Sequence, residues 1–176
     1  MYNTQFIDPA RLTPPELCDY LEKAFYIEIR HLVTSIQQQI EDAPADYEDH
    51  AELLVLLFLK LKEEVMQMIR NDELVIFPLI RNDKKASACP ARKLPLEMIQ
   101  NMHKKIMQVL EKMRQQANNY LPKKGWTPGF ASCCAEMFKL EQEIHKAIYT
   151  KENELLKRVS DQFNQTCNGK CNHRNS

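Results

Sequence analysis

The sequence is poor in glycine, carries no excess of either charge, and has no long apolar run. Three glycines in 176 residues, with few Asn-Gly or Asp-Gly pairs, argue against an all-β fold, which needs many tight turns. Basic and acidic residues number 24 each, so net charge gives no reason to expect binding to nucleic acid or to an acidic membrane. The longest apolar run, Leu53 to Leu59, is far shorter than the roughly 20 residues of a membrane-spanning helix. We therefore expect one globular domain.

The amino-terminal residues and the cysteines bear on the cellular compartment. The segment 1–9 has neither the basic nor the apolar part of a secretory signal, so we expect a cytoplasmic protein. Cysteines in that compartment are mostly reduced thiols. Cys133 and Cys134 are adjacent in a helical pattern, so one is expected to face the core and the other water. Cys167 and Cys171 do not have standard zinc spacing and are interpreted as tail thiols. A thiol redox switch through these four cysteines is a further, weaker hypothesis.

Four amphipathic helical patterns span the chain, and prolines separate them. The first starts at Thr13-Pro14 and stops before Pro44, and the second follows Asp46 and runs past Pro78. The third starts at Pro95, and the fourth runs from residues 127–128 to about residue 163. Long helices with short connections predict an all-α, up-down-up-down four-helix bundle over residues 12–163. Residues 1–11 form an amino-terminal extension in this interpretation, and 164–176 a cysteine-containing tail.

Polar residues interrupt the apolar stripes of three of these helices. Asp72 continues the stripe formed by Leu54, Leu57, Leu61, Val65 and Met68, and is followed on it by Val75 and Leu79. His103 lies on the stripe of the third helix, formed with Ile99, Ile106, Leu110, Met113, Ala117 and Tyr120. The stripe of the fourth helix carries Glu141 and the better-centred Glu152, together with Met137, Ile144, Ile148, Leu155 and Val159. A carboxylate facing a core is costly unless it meets a partner or a metal ion.

Two interpretations of these residues remain open. In the first, Asp72, His103 and Glu152 converge on a metal ion with Tyr26, since carboxylate and imidazole suit iron, manganese or zinc. In the second they form a metal-free buried polar cluster, in which His103 bonds a carboxylate and Tyr26 donates its hydroxyl. His50 is a weaker candidate ligand at the end of the bundle. His145 lies about 10.5 Å along the helix from Glu152, too far for both to bind one ion, and is interpreted as a surface or edge histidine.

Several stretches resemble a hemerythrin-like, HHE cation-binding domain, most closely the di-iron domain of iron-sulfur cluster repair proteins (regulators of cell morphogenesis and NO signalling). Residues 68–78, Met-Ile-Arg-Asn-Asp-Glu-Leu-Val-Ile-Phe-Pro, match the family pattern His-x-x-x-Glu-Glu-x-x-Leu-Phe-Pro. Residues 148–153, Ile-Tyr-Thr-Lys-Glu-Asn, match His-x-x-x-Glu-Asn. His103 matches the histidine of the third helix, and Phe25-Tyr26 a Tyr-His pair. The resemblance covers roughly residues 12–160.

The resemblance implies an iron site and a role in oxygen, NO or redox-stress responses, with a small diatomic ligand. Three family histidines are replaced, by Tyr26, Met68 and Ile148, and the bridging glutamate becomes Asp72. A complete di-iron centre therefore looks unattainable, and a remodelled, partly degenerate iron site is the expectation. The alternative is a metal-free interaction or regulatory bundle with an unknown protein partner, in which Met68 and Ile148 fill the vacated space. No catalytic motif is found, so an enzyme is not expected.

Overall fold

The computed structural model describes residues 7–43, 51–82 and 94–161, and within these ranges it contains helices and no strand. Four long helices dominate. The first combines Pro14–Leu21, Glu22–Tyr26 and Ile27–Asp42, and the second combines Glu52–Asn71, Asp72–Ile76 and Phe77–Arg81. The third is Leu96–Gln116. The fourth combines Pro128–Thr150 and Lys151–Leu156 and continues through residues 157–161. The predicted all-α fold with four helices is confirmed.

Three of the long helices contain a π-helical turn. These turns are Glu22–Tyr26, Asp72–Ile76 and Lys151–Leu156. At the end of the first turn the amide of Ile27 donates to the carbonyl of Glu22, five residues back rather than four. Such a turn holds one extra residue, so it rotates every later side chain around the helix axis by about one residue. Short π-helical turns are often found at functional sites.

The π-helical turn of the second helix corrects the predicted apolar stripe. Val75 and Leu79 were expected to face the core after Asp72, but Val75 is exposed and Leu79 only half-buried. Ile76 and Ile80 are buried in their place, because the extra residue advances the stripe by one position. Pro78 lies in the first turn of the α-helix that follows, where its missing amide hydrogen does little harm.

The third helix has no π-helical turn, and all seven residues of its predicted stripe are buried. The chain then passes through three consecutive residues with positive φ, Asn118, Asn119 and Tyr120, at 50°, 56° and 62°. Asparagine tolerates this left-handed conformation, whereas tyrosine adopts it at a cost of about 1 kcal/mol or more. The fourth helix starts as predicted, since the Thr127 side chain accepts a hydrogen bond from the amide of Phe130 at 3.1 Å.

Residues just before the first helix are tied to the end of the fourth. The short 3₁₀ turn Pro9–Arg11 presents its carbonyls to Arg158, whose guanidinium donates to Ala10 at 3.0 Å and to Leu12 at 2.6 Å. Part of the predicted amino-terminal extension therefore packs on the bundle. None of the helices in the described ranges is both long and apolar enough to cross a membrane.

Candidate functional site

A buried carboxylate lies at the centre of the strongest polar network. Asp72 is 0% exposed and occupies the first position of the second helix's π-helical turn. The ammonium of Lys151, itself 1% exposed, donates to both carboxylate oxygens, at 2.6 Å to Oδ1 and 2.8 Å to Oδ2. The hydroxyl of Tyr26 donates to Oδ2 at 2.6 Å. One carboxylate thus accepts three hydrogen bonds from two other helices.

Each member of this network lies in a π-helical turn. Tyr26 ends the turn of the first helix, Asp72 begins that of the second, and Lys151 begins that of the fourth. The Tyr26 ring also stacks on Phe77, with ring centroids 6.0 Å apart and planes within 7° of parallel. Three irregular turns therefore meet at one buried polar cluster.

A second pair, formed by His103 and Glu152, lies at the edge of this interior. His103 Nδ1 is 2.7 Å from Oε1 of Glu152, and the imidazole is buried. Glu152, expected to face the core, has 42% of its side chain exposed and lines an open cleft with Lys104, His145 and Tyr149. That expectation was wrong: the inward position of this stretch is taken by Lys151, which lies at regular helical spacing from the buried Ile144, Ala147 and Ile148.

Burial shifts the pKa values of Tyr26, Lys151 and His103. Desolvation is the main cause that raises the pKa of Tyr26 far above its usual range, with further help from the negative charge of Asp72. Desolvation lowers the pKa of Lys151, and the ion pair with Asp72 opposes that change. The pKa of His103 is also lowered, first by burial and then by the positive charge of Lys151. Burial thus disfavours the charged forms of Lys151 and His103, and the ion pair with Asp72 offsets part of this effect for Lys151.

The donor set does not fit the di-iron centre that the sequence resemblance implies. An ammonium has no lone pair for a metal, and here it engages both oxygens of Asp72. Glu152 binds His103 and turns toward solvent. Across residues 7–43, 51–82 and 94–161, no three or more His, Cys, Asp and Glu side chains are grouped so as to hold a metal ion. One feature that suits a ligand is His103 Nε2, which is buried and has no hydrogen-bond partner among the described residues.

A second buried carboxylate, Glu141, lies nearer the turn between the third and fourth helices. It is 1% exposed and pairs with the guanidinium of Arg114 and with the hydroxyl of Tyr120, the latter at 2.7 Å. His145 Nε2 lies 3.6 Å from the same carboxylate, and its half-buried side chain at the open cleft agrees with the prediction of a surface or edge histidine. The stripe of the fourth helix predicted that Glu141 faces inward, and its partners Arg114 and Tyr120 make that burial tolerable.

The remaining sequence predictions have mixed outcomes. Cys133 and Cys134 are both buried, which contradicts the expectation that one of them faces water. Burial raises the pKa of Cys134 to about 12, so its thiol is a poor nucleophile. The weak candidate ligand His50 lies outside the described residues, as does the tail with Cys167 and Cys171.

Lys151 is the functional residue that sequence analysis missed. It lies one position before Glu152, and the stripe drawn through Ile148 and Leu155 placed Glu152, rather than Lys151, on the inner face. Ile148 and Leu155 are both buried, seven residues apart, and either Lys151 or Glu152 could lie between them on the inner face. A signal was present: a buried Asp72 needs a cation, and Lys151 is the basic residue in the stretch that resembles a ligand motif.

Searches with protein-family models and among curated proteins find no match for this chain. The class of protein is therefore argued from the four-helix all-α fold and the chemistry of its interior.

Proposed function

We propose that this chain is a metal-independent, hemerythrin-like helical bundle with an interaction or regulatory role, in which Lys151 supplies the interior positive charge. The observation that carries the proposal is the contact of the Lys151 ammonium with both oxygens of Asp72, at 2.6 and 2.8 Å. A cation bridging those oxygens would compete with the ammonium for the same lone pairs. Met68 and Ile148, both buried, are where the family resemblance would require histidines.

The proposed topology is up-down-up-down. Contacts between the first and second helices run in opposite chain directions, since Glu22 pairs with Arg81 and Gln37 with Lys62. The third and fourth helices do the same through the pairs His103–Glu152 and Arg114–Glu141. The first helix also runs against the fourth, because Glu28 pairs with Lys139 while residues 10–12 contact Arg158. These three antiparallel relations support an alternating bundle.

Metal uptake separates this proposal from its alternative. The purified protein is equilibrated anaerobically with Fe(II), desalted and analysed by plasma mass spectrometry. We expect far less than one equivalent of iron, and we expect a chelator to leave the melting temperature unchanged, because bound metal would stabilise the fold by linkage. Near-stoichiometric iron with a chelator-sensitive melting temperature would overturn the proposal.

The Lys151→Ala variant tests whether the ammonium excludes a cation. Removing the side chain takes away both hydrogen bonds of the ammonium to Asp72 and leaves the Tyr26 hydroxyl on Oδ2. We expect this variant to take up more metal than the wild-type protein under the same loading. Lys104→Ala, which removes an ammonium from the nearby open cleft, is the matched control and should take up no more metal than wild type. Equal uptake by Lys151→Ala and wild type would show that Lys151 is not what keeps metal out.

A second candidate function is the remodelled iron site in an oxygen, NO or redox-stress response that the sequence resemblance implies. The observation in its favour is the unpartnered Nε2 of His103, whose Nδ1 pairs with Glu152 in the manner of a metal-binding histidine. This function requires Asp72 to exchange Lys151 for a metal ion. If Tyr26 then binds ferric iron, a visible charge-transfer band is expected, and Tyr26→Phe should remove it.

A further inference from the structure

Two hydrogen-bonding groups in the interior have no partner among the residues that the structure describes. One is Nε2 of His103, a residue that is 2% exposed. The other is the third hydrogen of the Lys151 ammonium, since an ammonium has three hydrogens and Asp72 accepts two of them. Nearly all buried polar groups in proteins are satisfied, either by the protein itself or by ordered water. These two groups therefore need a partner.

The other ring nitrogen of His103 decides what kind of partner Nε2 needs. Nδ1 lies 2.7 Å from Oε1 of Glu152, and because an ionised carboxylate only accepts, Nδ1 carries the hydrogen of this bond. In the neutral imidazole Nε2 is then an acceptor, and its partner must donate. Glu152 directly follows Lys151 in the chain, so the pair with Glu152 also places the ring beside Lys151.

His103 and Lys151 are close to each other but are not joined by a hydrogen bond. After burial, the positive charge of Lys151 is the largest cause that lowers the pKa of His103, so the ammonium lies near the ring. No hydrogen bond joins Nε2 to the ammonium, however. A buried donor and a buried acceptor in this relation suit a water molecule, which accepts from one and donates to the other.

We propose that one water molecule binds between His103 Nε2 and the Lys151 ammonium and completes a proton path from solvent to Tyr26. The path enters at Glu152, whose side chain is 42% exposed, and crosses the imidazole from Nδ1 to Nε2. It continues through the water to Lys151 and then to Asp72 at 2.6 Å. It ends at the Tyr26 hydroxyl, which donates to Asp72 at 2.6 Å.

Each group on this path gains one proton for each proton that it loses. When Glu152 takes the proton of Nδ1, Nε2 takes one from the water, and the ammonium gives one to the water. The neutral amine of Lys151 then takes the proton of Tyr26 by way of Asp72. The same steps in reverse return a proton from solvent. The net result is that the hydroxyl hydrogen of Tyr26, which is 0% exposed, exchanges with solvent without any opening of the fold.

A high-resolution crystal structure of the full chain tests the water site. We expect a water molecule within about 3.2 Å of both His103 Nε2 and the Lys151 ammonium. In Lys151→Met, which removes one of its two partners, this water should be lost or weakly occupied. An interior in which Nε2 meets only apolar atoms, or binds the ammonium directly, overturns the proposal.

The exchange rate of the Tyr26 hydroxyl hydrogen with water, measured by nuclear magnetic resonance, tests the path. His103→Leu removes the relay, and the exchange should slow at least several-fold while the circular dichroism stays helical. Glu152→Gln alters a partly exposed residue and removes the outer proton acceptor, so it should slow the exchange in the same direction. His145→Leu changes a half-buried histidine of the same cleft that is not on the path, and should exchange like wild type.

Unchanged exchange in both His103→Leu and Glu152→Gln would contradict the path. An equal slowing in His145→Leu would also contradict it, because the effect would then come from the cleft in general. The path uses the contact of Lys151 with Asp72 on which the proposed function rests. Metal uptake by the wild-type protein does not depend on this water, so failure of the path and failure of the metal-independent interior are distinguishable.

Discussion

The bundle buries two carboxylates, Asp72 and Glu141, and it satisfies them in different ways. Each meets one tyrosine hydroxyl and one basic side chain from other elements. The cation of Asp72 is Lys151, whose side chain is 1% exposed, whereas the cation of Glu141 is Arg114, whose side chain is 45% exposed. The first pair is removed from water completely, and the second keeps one partner in solvent.

The backbone also differs between the two carboxylates: it is irregular around Asp72 and mostly regular around Glu141. Around Asp72, three π-helical turns contain the buried residues Tyr26, Asp72 and Lys151. The Glu141 cluster is assembled on regular helix, apart from the left-handed turn that ends at Tyr120. A fully desolvated ion pair requires near-ideal geometry to offset the cost of removing both charges from water.

The largest expected effect comes from removing each cation. Lys151→Met leaves the Asp72 charge buried without its partner and should lower the free energy of unfolding by about 3–5 kcal/mol. Arg114→Met should cost about 1 kcal/mol, because its ion pair is partly screened by solvent and Glu141 keeps Tyr120. Urea denaturation of the two variants gives both values. Equal losses would mean that burial of the cation does not distinguish the two clusters.

A double variant serves as the control for that experiment. Asp72→Asn with Lys151→Met removes both interior charges, so the buried uncompensated carboxylate of the single variant is gone. The double variant should therefore be clearly more stable than Lys151→Met alone. If it is less stable, the single variant's loss comes from packing rather than from charge.

Removing each tyrosine hydroxyl gives a smaller contrast. Tyr26→Phe deletes a fully buried hydrogen bond to a charged acceptor and should cost about 2 kcal/mol. Tyr120→Phe should cost about 1 kcal/mol, since the Arg114 guanidinium remains on Glu141 in contact with water. Thermal or urea unfolding measures both. A larger loss for Tyr120→Phe would show that the left-handed turn depends on this hydrogen bond more than the interior depends on Tyr26.

The smallest expected effect is the pH dependence of the free energy of unfolding that comes from the buried His103. The folded-state pKa of His103 lies below its ordinary value of 6.5, so the unfolded chain takes up a proton first as the pH falls. His103 therefore removes stability as the pH drops below about 6.5 and has no effect above it. Burial is the main cause of the lowered pKa of His103. The positive charge of Lys151 lowers it further, while Glu152 and Asp72 oppose the shift.

Unfolding measured across that pH range tests the assignment. His103→Gln should flatten the loss of stability on acidification. His145→Gln, beside Glu141, is the matched control and should keep the part of the loss that His103 causes. An unchanged slope in His103→Gln would contradict a lowered pKa for this histidine.

Sequence analysis predicted the secondary structure better than the site. The four helices, the starts of the first, third and fourth near Pro14, Pro95 and Thr127, and the seven-residue stripe of the third helix follow from local patterns, and the structure confirms them. The burial of Tyr26, Asp72 and His103 was also predicted, and the contacts of His103 with a carboxylate and of the Tyr26 hydroxyl with Asp72 belong to one of the two interpretations left open. The inward position of Glu152 was not confirmed. Whether a metal ion ever binds remains a prediction for the uptake experiment.

By itself the sequence determined which faces of the four helices are apolar and that a carboxylate must lie among them. Only the tertiary structure decided that Lys151, and not Glu152, turns inward. The physical reason is that both residues lie at helical spacing from the buried Ile148 and Leu155, so a regular period cannot choose between them. The choice depends on Asp72 of the second helix, whose two buried carboxylate oxygens accept hydrogen bonds from the Lys151 ammonium.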